Sequence, residues 1–156
     1  MKIKLLAVGT KMPDWVNQGF IEYSKRLPRE LSFEVIEIPL AIRSKNSDIS
    51  RAIEKESSAI LAQLNSNDHV IALEVEGLNW STEKLATHME SWLMNGQNIC
   101  LLVGGPDGLS DACRARANQQ WSLSALTLPH PIVRVLLAEQ IYRAWSVTQN
   151  HPYHRS

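Results

Sequence analysis

Cysteine is scarce: Cys100 and Cys113 are the only two in 156 residues. Their spacing fits no zinc-ligand pattern. Cys100 lies inside an apolar run and reads as a core residue, and both are expected to be reduced thiols of a cytoplasmic protein. Long apolar runs are missing as well, which excludes a membrane-spanning helix. The opening MKIKLLAVGTKMPD sets lysines beside a short apolar run but has no small-residue cleavage site, so it reads as a first β-strand and not a secretion signal. Net charge is zero, with 16 basic and 16 acidic side chains, which argues against a simple basic sheath for nucleic acid. Internal repeats, low-complexity stretches and linkers are also absent, and the length suits a single domain, residues 1–156.

The neutral total hides a segregation. Residues 1–55 carry a net +3, residues 56–113 a net −7 and residues 114–156 a net +4. The last segment is basic through arginine alone, at Arg114, Arg116, Arg134, Arg143 and Arg155. Guanidinium forks suit phosphate and stack on bases.

Strand and helix patterns alternate along the chain. KIKLLAVG reads as a strand, and Val16, Phe20, Tyr23 and Leu27 fall at helical spacing within residues 13–27. LSFEVIEI alternates as a half-exposed or edge strand does. A polar loop over residues 40–47 carries Arg43 and Lys45, and a helix with Ile49, Ile53, Ile60 and Leu64 on one face follows it. HVIALEV and NICLLV read as buried strands. Between them Ser81 caps a helix that turns Leu85, Met89, Trp92 and Leu93 inward and stops at Gly96. LSDACRARA is a short helix, WSLSALTL a short strand with a loop, and residues 131–148 a last helix. Near-continuous apolar strands alternating with helices predict an α/β fold whose parallel sheet is covered on both faces. Ligands of such sheets bind beyond the carboxyl ends of the strands. That rule selects the ends of HVIAL and NICLLV and the loop SALTLPH.

LLVGGPDGLS runs a buried strand into a glycine turn before a helix opens near Ser110. Bare backbone at Gly104 and Gly105 admits close approach of a ligand. The glycines do not fall as a dinucleotide fingerprint, and no Gly-Lys-Ser/Thr follows to make a phosphate loop. LSALTLPHP, residues 123–131, is an apolar loop whose backbone groups need partners. It would suit a flat apolar ligand such as adenine, with His130 beside it as a capping or packed histidine. The last helix is apolar nearly all round, which predicts cover from a second subunit and hence a homodimer, with Arg134, Glu139 and Arg143 left to pair or to face a site. The chain closes on HPYHRS. His151 and His154 with His130 give no regular ligand face, and no metal is expected.

VGGPDG, SLSALTLPHPIVRVLLAEQIYRAW and NHPYHR, in this order and at these distances, closely resemble the ribosomal RNA large subunit methyltransferase H family of the SPOUT class, and the likeness extends to the opening AVGTKMPDW. The resemblance implies an α/β methyltransferase with a deep C-terminal trefoil knot, acting as a homodimer with S-adenosylmethionine as cofactor. It implies methylation of N3 of a pseudouridine in 23S ribosomal RNA on assembled ribosomes. Carried over by position, the cofactor contacts would be Leu73, Gly104 and the run Leu123, Ser124, Ala125, Leu126, Thr127 and Leu128.

An imide N3 becomes a nucleophile only when its proton leaves, so a base or a positive charge should stand near it. The closing residues supply candidates. His154 could take the proton, Arg155 could hold a phosphate or stabilise the anion, and Tyr153 could stack on the base or bond to it. Arg143 could hold RNA or brace the tail. Reach over the cofactor of the neighbouring subunit would complete the site across the dimer. A SPOUT enzyme acting on another RNA such as transfer RNA, and a non-catalytic ribosome-binding factor, stay open as alternatives.

Overall fold

The computed structural model describes residues 1–43 and 48–154, so Lys45 of the polar loop and Arg155 of the tail lie outside the described residues. Five strands, β1 (Lys2–Val8), β2 (Ser32–Ile38), β3 (His69–Asn79), β4 (Ile99–Val103) and β5 (Gln119–Ser122), form one sheet in the order β2-β1-β4-β3-β5. All neighbouring pairs are parallel. The helices are α1 (Asp14–Ser24), α2 (Ile49–Ala62), α3 (Thr82–Asn95), α4 (Asp111–Arg116) and α5 (His130–Thr148), and a 3-10 turn follows at Pro152–His154.

Alternation along β1 assigns the two faces. Ile3, Leu5 and Ala7 point into a core shared with α1, α3 and α5. Leu6 and Val8 point into a smaller core with Ile60 of α2 and Cys113 of α4. Because both faces are covered, the central strand β4 is apolar at every position and buried throughout. β2 lies at the sheet edge, as its alternating pattern implies.

Two elements depart from their sequence boundaries. α1 ends at Ser24, three residues short of Leu27, because the chain tightens into short-range turns ahead of Pro28. Proline disfavours helical geometry in the residue before it. β3 runs to Asn79, beyond HVIALEV, and its pairing with β5 shifts between Leu73 and Leu78. That irregularity lifts residues 74–77 out of register beside the carboxyl ends of β4 and β5.

The cover expected for α5 comes largely from its own chain. α5 packs against both α1 and α3, and Val133, Leu137, Ala138, Ile141 and Ala144 are buried in the larger core. Ile132, 45% exposed, is the main apolar surface that α5 leaves uncovered. Among the described residues, no helix is long and apolar enough to cross a membrane.

Candidate active site

Three strand ends that the sheet rule selects meet at one cavity of about 300 Å3. Leu73 brings the end of β3, Val103 to Pro106 the end of β4, and Trp121 with Leu123, Ser124, Leu126, Thr127 and Leu128 the end of β5 and the loop after it. The volume lies at the lower edge of the roughly 300–1,000 Å3 range of small-molecule sites. Ala125 is exposed and does not line the cavity. Sequence reasoning missed Glu74, the only charged side chain in the lining among the described residues, although it directly follows Leu73. Its carboxylate lies 3.4 Å from Arg114.

The loop 123–128 keeps its backbone groups largely free. Among the described residues it makes no backbone–backbone hydrogen bond. Side chains serve only two groups: the Ser122 hydroxyl donates to the Ser124 carbonyl (3.0 Å), and the Leu126 amide donates to Ser124 Oγ (2.9 Å). Ala125, Leu126 and Thr127 are exposed, so these groups are open to water or to a ligand. An apolar wall edged with free amide and carbonyl groups is what the rim of an adenine ring can satisfy.

The glycine turn is held from two sides. On one side, Arg43 donates to both carboxylate oxygens of Glu56 (2.8 and 3.2 Å) and to Asp107 (2.7 Å). Glu56 is only 3% exposed, so this pair ties the loop after β2 and the glycine turn to α2. On the other side, Arg134 is 2% exposed and donates to Glu37 (2.7 Å), to the Gly9 carbonyl (2.8 Å) and to His130 Nε2 (3.2 Å). His130 in turn bonds the Gly104 backbone, and its pKa is lowered by burial and by the Arg134 charge. Its Nε2 therefore accepts and Nδ1 carries the proton, so the ring is a neutral strut between the first strand and the glycine turn.

Two outcomes follow for stability. Arg134→Met is expected to destabilise the fold by about 3 kcal/mol in urea titration, because it orphans a buried carbonyl and strands a carboxylate. Glu37 can still reach water, which holds the loss to the lower end of the roughly 3–5 kcal/mol for breaking a buried pair. Separately, His130 and His88 both have folded pKa values below the ordinary 6.5, chiefly through burial. Below that pH the unfolded chain binds protons that the folded chain refuses. Their contribution is full above pH 6.5 and is lost as pH falls toward the folded values. Urea titrations at pH 7.5 and 5.5 should differ accordingly, and His130→Gln should reduce the difference.

The tail residues gather elsewhere. Tyr153 donates its hydroxyl to Glu139 (2.9 Å), and its ring lies 4.7 Å from that of Tyr142. Arg143 stands over the same ring at 5.1 Å while donating twice to Glu139 (2.9 and 2.6 Å). Arg26, in the turn after α1, completes the cluster, 5.5 Å from the Tyr142 ring. Burial and the Glu139 bond push the Tyr153 hydroxyl up to about 12, so it stays a neutral donor. His154 Nδ1 is buried with no hydrogen-bond partner among the described residues. Neither Tyr153, His154 nor Arg143 lines the cavity. Val133, which does, precedes Arg143 by ten residues on α5, about 15 Å along the helix. Within one chain the two halves of the expected site stay apart.

A family model described as "Predicted SPOUT methyltransferase" matches residues 1–154. The chain is 64% identical over 155 residues to the ribosomal RNA large subunit methyltransferase H of Hahella chejuensis, covering 99% of each chain. It is 59% identical over 155 residues to the protein of the same name from a Marinomonas species, covering 99% of this chain and 100% of the relative.

Proposed function

Because the chain belongs to the SPOUT methyltransferase family, and within it to the ribosomal RNA large subunit methyltransferase H group, we propose that it methylates N3 of a pseudouridine in 23S ribosomal RNA on assembled ribosomes. The fold is the parallel α/β SPOUT fold, whose hallmark is a C-terminal trefoil knot. We place the enzyme in the cytoplasm as a homodimer. The observation that carries this reading is the convergence of Leu73, Gly104 and the loop 123–128 on one apolar cavity with unspent backbone groups.

The cavity suits S-adenosylmethionine. Leu73, Leu123, Leu126 and Leu128 offer an apolar slot for adenine, with backbone groups along its edge. Gly104 and Gly105 admit the ligand to bare backbone. The Glu74 carboxylate is placed to accept hydrogen bonds from ribose hydroxyls. Bound there, the cofactor supplies a methyl group already activated on a sulfonium.

The protein must then position the base and take one proton. His154 is the proposed acceptor of the N3 proton, and Arg155 the proposed cation that favours the imide anion or holds a phosphate. Tyr153, kept neutral, stacks on or donates to the base. Arg143, locked to Glu139, braces Tyr153 more than it reaches for RNA, a refinement of the role first expected of it. The distance between tail and cavity within one chain supports delivery of the tail to the partner's cofactor. The unpartnered His154 Nδ1 fits a residue that finds its partner only there. With no separate RNA-binding domain, recognition rests on the shape of a ribosomal surface and on a base swung from its stack.

Transfer of labelled methyl from S-adenosylmethionine tests the reading. Assembled ribosomes, separated subunits and free ribosomal RNA from cells lacking this gene would be compared. Label in large-subunit RNA only with assembled ribosomes is the expected result. Cofactor binding with no label on any substrate would point instead to a non-catalytic ribosome-binding factor.

A further inference from the structure

The sheet has a topological switch point that the cofactor cavity does not occupy. From β1 the chain crosses by α1 to β2, over the face of the larger core. From β4 it crosses by α4 toward β5, in the opposite direction and over the other face. The crevice beyond the carboxyl ends of β1 and β4 is therefore where an open parallel sheet places a ligand. A second cavity, of about 410 Å3, lies there.

Its own walls are Gly9 and Met12 from the turn after β1, Leu40 from the turn after β2, and His130 at the start of α5. It shares Val103 to Pro106, Thr127, Leu128 and Val133 with the cofactor cavity, so the two adjoin along the glycine turn and the apolar loop. The turn after β1 is bent to make this space. Gly9 has φ +129° and Lys11 φ +57°, and a Cβ on Gly9 would lie 3.2 Å from the Met12 methyl. Leu40 stays 50% exposed at the rim, an open apolar edge. The polar end is rigid: both nitrogens of His130 are committed, to Arg134 and to the Gly104 backbone.

We propose that this second cavity receives the flipped pyrimidine base of the target nucleotide. The proposal rests on the methyltransferase reading above. Met12 and Leu40 would flank the flat ring, and Thr127 supplies a hydroxyl among the lining side chains for its polar edge. The two cavities adjoin along their shared residues, so N3 of a base in the second can face the sulfonium methyl directly, and in-line displacement then moves the methyl to nitrogen as the carbon–sulfur bond breaks. His130 and Arg134 are positioning residues here. They hold the wall and move no proton.

Filling the cavity tests this. Met12→Trp and Leu40→Trp change residues that line only the second cavity. Each variant would be checked for folding by thermal melting, for S-adenosylhomocysteine affinity by calorimetry, and for methyl transfer to assembled ribosomes. Cofactor affinity should stay within about twofold of wild type, while kcat/KM for ribosomes falls about a hundredfold, the usual cost of displacing a reacting group by an ångström. Should Met12→Trp not fold, Leu40→Trp at the exposed rim decides alone. Loss of cofactor affinity in step with activity would assign the cavity to the cofactor and overturn the proposal. Undiminished transfer in a folded variant would overturn it too. Absence of label from the wild-type enzyme on every RNA would instead bring down the functional reading on which it stands.

Discussion

Gly104→Ala is expected to abolish cofactor binding in a chain that still folds. A Cβ at this position would lie 2.5 Å from the Gly108 carbonyl carbon, 2.7 Å from its oxygen and 2.8 Å from the Leu109 nitrogen. All three are backbone atoms, so no rotamer change relieves the clash and the turn itself must move. Overpacking of this kind costs about 1–3 kcal/mol, which the large apolar core can absorb. The functional cost is greater, because the displaced turn is a wall of the cavity. Calorimetric titration with S-adenosylhomocysteine should give affinity weaker by at least about a hundredfold, or about 3 kcal/mol. Gly108→Ala supplies the control. A Cβ there meets nothing within 4 Å, and only the φ of +81° opposes it. That variant should lose about 1–2 kcal/mol of stability and keep most of its cofactor affinity. Equal affinity in the Gly104 and wild-type proteins would remove this turn from the site.

Removing residues 151–156 should have the opposite profile. None of the described tail residues lines the cofactor cavity, so binding of S-adenosylhomocysteine should remain within about twofold of wild type. Methyl transfer to ribosomes should fall by about a thousandfold or more, within the range for loss of a general base together with a charge that stabilises the developing anion. The truncated chain also loses the Tyr153–Glu139 bond and the stacking on Tyr142, and should melt a few degrees lower. Tyr153→Phe separates the two effects. It keeps the ring over Arg143 and removes only the hydroxyl, so it should cost far less activity than the deletion. Unimpaired catalysis by the truncated enzyme would exclude the tail from the chemistry.

Local pattern carried much of this fold. The alternating LSFEVIEI marked an edge or half-exposed strand, and Ser81 caps its helix by accepting from the Lys84 amide at 3.0 Å. That the ends of β3 and β4 and the loop after β5 meet at one cavity was legible from the sheet rule, whereas the naming of cofactor contacts there came from the family resemblance. Strand order left no such mark. Which of the apolar strands lies beside β1 depends on pairing between distant segments, so the switch point between β1 and β4 emerges only in three dimensions. The cover of α5 was legible only in part, for a related reason. An all-round apolar helix asks for neighbours, but its pattern cannot say that α1 and α3 of the same chain supply most of them. Arg134 read as a charge left to pair or to face a site; it pairs, as a buried strut, with partners the sequence could not name because Glu37 and Gly9 lie 97 and 125 residues away. The composition of the tail was conspicuous, whereas its anchorage on Glu139 and Tyr142 was not.

On the proposed reading, one chain's cofactor cavity works with the other chain's tail. Mixing two inactive proteins tests it most directly: the Gly104→Ala chain, which keeps its tail, and the truncated chain, which keeps its cavity. After subunit exchange, a dimer with one chain of each kind holds one complete site, built from the truncated chain's cavity and the other chain's tail. Random pairing in a two-fold dimer then predicts methyl transfer to ribosomes at roughly a quarter of the wild-type level. A mixture as inactive as its components, with exchange verified by mass, would show that each active site is built from a single chain.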